Sequence, residues 1–578
     1  MPDHATAPDR RSRWRAYAIV TVVVWLGRWW FSADRRVTHI SPDEPSQLAI
    51  ARWLAGGRWN MFDHATWQPM FGTLLSPVYW FTDDAETVVR TALALNAFLG
   101  GLAAAVLVVL LGHLTPLSQS WCAVIAIVVG VAPSSLSGSS FLWAESLVSL
   151  TFVGAIVLTI RAHESGRWQP ALGAIAMGVA GYTSHSRLLP FAVTTIAVVV
   201  GWELWRRRWR RAASLAGAAI ALAGLSVAYT RWLLANIWDD PTDQNTVGAV
   251  WRRAQDPLQV GEAVIGQLWY QLAATFCLFG AGAVLLVRAL WRHSPDGIDT
   301  VAARLVVVGL VPQLALSAVF MSDRSRSDQL IYGRYNDAVV WPIVALGVAW
   351  VGWRFRDGLD TRHRWITAGA LAGLIGTGVA VEAWHGDAIR ESYGVRSMIP
   401  GLLAFVDGND VLDPARVTAT TASIFLLLVA LIALAQVRDA RPLVVAVTIS
   451  SATLLFAVGV VRFERVADLR LNGWLRASAV REIEAIVPDD APLGVRPVRD
   501  SEDPVVRFVP QRQRFQLYQL YLPDRTFLRD RGVDDDVGPY VFAPLRDPEL
   551  TEAGAQVIWF DRSLRIGLWE EPRREEPG

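Results

Sequence analysis

The sequence predicts an all-α polytopic membrane protein of about thirteen transmembrane helices, followed by a small α/β domain outside the bilayer. Three observations predict it. The 578-residue chain is 53% hydrophobic, with a mean hydropathy of +0.31. Its apolar residues fall into repeated blocks of roughly 17–25 residues, the length a helix needs to cross a bilayer. Beyond residue 461 the apolar fraction drops and turn residues multiply.

In chain order, residues 1–14 form a tail whose RRSRWR run precedes the first apolar block, 16–32. FSADRRV follows that block where a signal peptide would carry a small-residue cleavage site, so the block is expected to be a retained helix. The further blocks are 88–111, 120–137, 142–160, 170–183 (the shortest), 188–205, 212–230, 264–290, 302–321, 337–353, 365–382, 417–436 and 441–461. Arginines concentrate in short loops: RAHESGRW at 161–168, RRRWRR at 206–211, WRFRDGLDTRHR at 353–364 and VRDARP at 437–442. With thirteen spans over 15–461 these loops and the N-terminus share one side, which the positive-inside rule makes cytoplasmic. The longer loops 33–87, 231–263, 322–336 and 383–416, and the tail from 462, then lie outside: N-in, C-out, in the plasma membrane. In 462–578 a helix is expected at about 474–487, then strands at LGVRPV, YVFAP and AQVIWFDRSLRIGLW, whose central DRS reads as a hairpin turn. No internal repeat is visible.

Composition narrows the chemistry. Every one of the 54 basic residues is arginine, so a phosphate must be held by arginine, histidine or backbone amides. Cys122 and Cys277 sit inside apolar runs, which argues against a disulfide framework or a metal cluster. No Gly-rich phosphate loop appears, and no nucleic-acid partner is expected. Ionisable residues gather at the ends of apolar blocks rather than their middles, which disfavours an ion-coupled pump. Nothing has metal-ligand spacing; the pair Asp83–Asp84 is too weak a signal for a cation, and a divalent-cation requirement stays open.

Polar residues at block ends collect on the outer side. Asp43 and Glu44 open the first outer loop, and Asp83 and Asp84 close it. Glu145 heads the fourth block. His185 and Arg187 lie in GYTSHSRLLP, and Arg324, Arg326 and Arg334 in SDRSRSDQLIYGRYND. Carboxylates and arginines from separate spans at one depth suit a site that a charged lipid head group can reach from the bilayer. Plain readings stand beside this one. Asp43 or Glu44 caps a helix with Pro45 in its first turn. Arg187 and Arg334 are interface anchors, Glu145 is solvated, and the tryptophans form a belt. Trp59, Trp67 and Trp80 are also placed to stack on sugar rings. A polyprenyl-lipid flippase or exporter, or a non-catalytic scaffold for envelope assembly, uses the same outer arginines.

The order of six segments carries a resemblance. DEPSQLAIARWLAGG, WQPMFGTLLSPVYWF and TDDAETVVRTALALNAFLGG resemble the first outer loop and second span of the GT-C glycosyltransferases, most of all the protein mannosyltransferase and lipid A aminoarabinose transferase group. FLWAESLVSLTFVGAIVLTIRA, GYTSHSRLLPFA and GRYNDAVVWPIVALG are similar to later family segments with an acid, a basic residue and an Arg-Tyr pair. The match covers about 15–350. Trp-Gln-Pro stands where members often have His-Pro-Pro with a following lysine. The resemblance implies a GT-C fold and transfer of a hexosyl or pentosyl group from a polyprenyl-phosphate donor. The acceptor would be an envelope glycan, lipid or protein outside the cytoplasm. It implies Asp43 as base and Glu44 as its partner, with Arg187, Arg334 and His185 on the donor phosphate. Glu145, Arg90 (which opens the second span) and Tyr335 are further candidates. Because phosphate leaves without a proton, no second carboxylate is needed as acid.

Overall fold

The computed structural model describes residues 10–35, 43–61, 68–238, 247–291, 297–322, 329–359, 361–391, 399–406, 411–436, 477–496, 518–529, 538–561 and 566–572. Every apolar block before residue 437 is helical. The chain runs α1 (Arg10–Ser32), α2 (Asp43–Leu54), α3 (Met70–Leu75), α4 (Ala85–Leu114), α5 (Gln119–Gly130), α6 (Pro133–Ser139), α7 (Glu145–Ser165), α8 (Trp168–Ser184) and α9 (Leu189–Trp205). It continues through α10 (Trp209–Ile237), α11 (Val247–Ala254), α12 (Pro257–Ala274), α13 (Leu278–Ala289), α14 (Thr300–Met321), the single turn α15 (Arg334–Asp337), α16 (Trp341–Asp357), α17 (Thr361–Glu391) and α18 (Pro414–Leu434). Local chemistry sets the ends. Asp84 caps α4 by accepting from the Thr87 amide, Asp299 caps α14 through Ala302, and Asp413 caps α18 through Ala415 and Arg416.

Among the described residues, seven helices are long and apolar enough to cross a membrane, and nine if each of two bent pairs counts as one span. α8 and α16, at 17 residues each, are short of that length. The block at 441–461 lies outside the described residues. Two blocks expected as single helices are bent. α5 and α6 turn by 60° where Pro133, which has no amide to donate, restarts the helix. The block 264–290 is α12 and α13 at 112°. Phe276 and Cys277 link them with φ of 48° and 64°, and the Cys277 amide closes α12 on the Leu272 carbonyl at 2.8 Å. Apolarity alone does not reveal a left-handed link between two non-glycine residues. Beyond the bend α13 packs backbone to backbone on α16: a Cβ on Gly282 or Gly347 would strike the facing carbonyl of Ile343 or Leu278.

The C-terminal region folds into a five-stranded sheet of order β2-β1-β3-β5-β4, from β1 (Leu493–Val495), β2 (Phe527–Arg529), β3 (Tyr540–Pro544), β4 (Gln556–Asp561) and β5 (Ile566–Glu570), with the short helix α19 (Pro548–Glu552) before β4. β1 is parallel to β2 and β3; β3–β5 and β5–β4 are antiparallel. The expected hairpin is present as β4–β5, its turn at 562–565 lying outside the described residues. Where a helix over 474–487 was expected, a 3₁₀ segment occupies Ala477–Ala485. This domain packs on the first loop. Trp59, Met61 and Tyr79 share one apolar cluster with Val480, Ile483, Tyr518 and Phe527.

Candidate active site

α2 brings its first residue, Asp43, to the beginning of α7, where Glu145 is the first residue. Arg334, at the head of α15, joins the two. Its Nη1 pairs with Asp43 Oδ2, and its Nε donates to Glu145 Oε1 at 2.5 Å. Asp43 and Arg334 are buried, and the Glu145 side chain is only 13% exposed. Burial pulls the Arg334 guanidinium down, but Asp43 and Glu145 outweigh it and hold it well above its ordinary value. The guanidinium also lies 3.3 Å over the ring centre of Trp143, which stacks at 3.9 Å on Phe141.

α15 owes its position to what lies behind it. Asp337 accepts from Tyr270 Oη at 2.8 Å and Gln271 Nε2 at 2.9 Å, both on α12, and Tyr270 Oη accepts from the Gly401 amide at 2.8 Å. Gly333 lies against the Tyr270 ring so closely that a Cβ there would overlap it. Burial, assisted by Glu145, raises the Asp337 carboxyl to about 7, against the two hydrogen bonds that lower it.

The opposite wall is aromatic. After α8 the chain turns at His185, whose Nδ1 accepts from the Arg187 amide at 3.3 Å. Burial, then Arg187 and Arg334, holds the imidazole well below its ordinary value, so His185 is neutral at pH 7. The Arg187 guanidinium lies over the Tyr335 ring and 5.5 Å from that of Phe320. It has no carboxylate partner among the described residues, and its buried Nη1 has no hydrogen-bond partner. Glu145 Oε2 is likewise buried and unpartnered.

Between the walls is a cavity of about 130 Å³, lined by Asp43, Gln47, Glu145, His185, Arg187, Arg334 and Tyr335 among others. Behind Trp143, Glu145 and Arg334 lies a polar niche of about 30 Å³, reached by Arg28, Ser146, Ser149 and Asp337. Arg28 is buried and donates to the Gly130 carbonyl at 2.9 Å and Ser146 Oγ at 3.0 Å.

The structure thus gathers Asp43, Glu145, His185, Arg187, Arg334 and Tyr335 in one place. Glu44 is beside them but does not line the cavity; it is buried and accepts from the Leu142 amide at 3.1 Å, tying α2 to the link before α7. Arg90 is elsewhere, half-exposed on α4 and 3.9 Å from Glu86. Asp83 is paired with Arg52, Trp59 is buried in the C-terminal interface, and Trp80 is exposed. Trp67, Arg324 and Arg326 lie outside the described residues. Sequence reasoning missed Arg28, Trp143, Tyr270 and Asp337. An arginine within the first apolar block was the available signal for Arg28; Asp337 follows the Arg-Tyr pair by two residues.

No group of three or more potential metal ligands converges among the described residues, and the cavity's two carboxylates are both engaged by Arg334. No family model matches the chain, and no curated protein matches it. Among solved structures it is similar to ArnT from Cupriavidus metallidurans bound to undecaprenyl phosphate, with a TM-score of 0.52 and 14% identity over 96% of this chain and 97% of that one. The arabinosyltransferase EmbB from Mycobacterium smegmatis gives a TM-score of 0.41 and 18% identity over 79% of this chain and 42% of that one. The archaeal oligosaccharyltransferase AglB from Archaeoglobus fulgidus gives 0.44 and 10% over 98% and 75%. The chain therefore shares the fold of ArnT, and its long apolar helices make it a multi-pass membrane protein.

Proposed function

We propose that the protein is an integral membrane glycosyltransferase. It takes a hexosyl or pentosyl group from a polyprenyl-phosphate donor and passes it to an envelope glycan, lipid or protein acceptor outside the cytoplasm. The observation that carries this reading is the two-walled cavity: a carboxylate pair locked by Arg334 faces Arg187, a buried arginine with an unpartnered nitrogen. That pairing suits one reaction type. The acceptor oxygen bonds to the anomeric carbon as the bond from that carbon to the phosphate oxygen breaks. The hydroxyl proton passes to Asp43, and the electron pair leaves with the polyprenyl phosphate. Asp43 orients the hydroxyl and receives its proton. Arg187 takes the growing phosphate charge, with Arg334 contributing from the far wall. Neutral His185 offers a ring N–H without adding a further cation to the two arginines. Glu44 steadies the helix that carries Asp43. Undecaprenyl phosphate bound to ArnT, which shares the fold, supports a polyprenyl-phosphate donor here. The arginine-rich short loops support an N-in, C-out orientation in the plasma membrane.

The test is mass spectrometry of envelope glycans from cells with the gene, without it, and with Asp43→Asn. A sugar increment present only with the intact gene is expected. An identical glycan profile in all three overturns the reading. A lipid-linked sugar that accumulates on one leaflet without loss of any transfer product favours a flippase instead.

A further inference from the structure

The C-terminal sheet domain meets the first loop along a polar seam, and one anchor of that seam is at the far end of the helix that begins with Asp43. Arg52, tenth of the twelve residues of α2, is buried. Its Nη1 donates to the Gln519 carbonyl at 3.0 Å, its Nη2 to the Pro523 carbonyl, and its Nε lies 3.8 Å from Asp83. Just beyond α2, the Gln519 side chain behaves as an extra sheet rung. Its Oε1 accepts from the Asn60 amide at 2.9 Å, and its Nε2 donates to the Asn60 carbonyl at 2.8 Å. Asn60 Nδ2 in turn donates to the Phe527 carbonyl, at the first residue of β2, at 2.9 Å. Val480, Ile483 and Tyr518 close the seam against Trp59 and Tyr79.

We propose that this domain is a brace for the reaction: Arg52 and Gln519 are positioning residues that set the tilt of α2 and so the place of Asp43. The inference rests on the reading of Asp43 as the acting base. A helix rises 1.5 Å per residue, so about 14 Å separates Asp43 from Arg52. A tilt of about 4° at the Arg52 end then moves Asp43 by about 1 Å, a displacement that costs about 100-fold in a positioned reaction. On the domain's side, main-chain carbonyls receive the guanidinium, so the anchor has the stiffness of the domain's backbone. The seam lies away from the cavity, and its loss leaves the Arg187 wall untouched.

The experiment uses the full-length protein in lipid nanodiscs with Arg52→Gln, Arg52→Lys and Gln519→Ala. It measures transfer kinetics, binding of undecaprenyl phosphate and amide hydrogen exchange. Arg52→Gln and Gln519→Ala should each lower kcat about 10- to 100-fold, with KM for the lipid donor and binding of undecaprenyl phosphate changed less than about twofold. Exchange should quicken over residues 43–54 while α4 and α7 keep their protection. Arg52→Lys, which can still reach one carbonyl, should recover part of the loss. A kcat within twofold of the wild type overturns the brace. So does exchange that quickens equally in α4 and α7, since the domain would then only stabilise the whole. If the wild type transfers no sugar, the glycosyltransferase reading fails by itself, and exchange still judges the brace: loosening confined to 43–54 keeps it, and unchanged exchange overturns it.

Discussion

The two walls of the cavity treat the same side chain in opposite ways. Arg334 is saturated: two carboxylates and an aromatic face hold it, and their charge outweighs the cost of its burial. Arg187 is also buried, yet among the described residues it meets aromatic rings and the Tyr335 side chain rather than a carboxylate, and one of its nitrogens has no acceptor. Burying a guanidinium without a counter-charge costs several kcal/mol. A structural arginine would be given a carboxylate, as Arg334 is. The contrast teaches that the acidic wall is finished in the folded protein, whereas the aromatic wall has room for the negative charge that the proposed donor phosphate would bring.

The strongest way to break this contrast is at the acidic wall's reactive end. Asp43→Asn retains helix-capping ability, so α2 should form and undecaprenyl phosphate should still bind. Turnover should fall about 10²- to 10⁴-fold, as for loss of a general base. Near-normal turnover would return Asp43 to a capping role. The arginines come next. Arg187→Lys should weaken binding of undecaprenyl phosphate about 10-fold or more, because an ammonium lacks the planar fork. Arg334→Lys should lower kcat about 10²-fold by releasing Asp43 and Glu145 while changing lipid affinity little. If equilibrium binding and kinetics show the same split for both, the two walls are not different in kind.

A smaller effect lies behind the acidic wall, at Asp337. Its carboxyl is raised by burial to about 7, above the 3.8 of an unperturbed aspartate. The folded state therefore holds a proton that the unfolded chain has already lost. Stability from this group is full below about pH 4 and is lost as pH rises through about 7. Thermal unfolding in detergent should show the wild type losing stability between pH 5 and 8 more steeply than Asp337→Asn, which has no such proton to lose. Parallel pH profiles would mean that Asp337 is ionised throughout. The smallest effect is expected at Arg90. It is half-exposed and, among the described residues, paired along its own helix, so Arg90→Ala should change kcat and KM less than about twofold; a larger loss would bring α4 into the site.

The sequence made the helices legible because apolar run length is a property of each segment alone. It also placed Asp43, Glu145, Arg187 and Arg334 at one level, since block ends are interfacial by construction. Three things were hidden for physical reasons. The 112° bend between α12 and α13 comes from positive φ at Phe276 and Cys277, which no composition signals. The different surroundings of Arg187 and Arg334 depend on partners 189 residues away in the case of Glu145. Arg28 sits within an apolar block, where its niche is made by Gly130 and Ser146 from other helices. Arg90 misled because an arginine opening a span has the same pattern whether it faces a cavity or water.

The seam between Arg52 and Gln519 also has a history within each molecule's synthesis. Its two sides are 467 residues apart in the chain. At about 5–20 residues per second, roughly 25–90 seconds pass between the emergence of the two sides. Through that interval Arg52 lacks its main-chain acceptors at Gln519 and Pro523, and Trp59, Met61 and Tyr79 lack the C-terminal members of their apolar cluster. On the brace proposal, α2 reaches its final tilt only after nearly the whole chain is made, so a ribosome that stops before residue 519 would release a bundle with its spans inserted and its proposed chemistry unassembled.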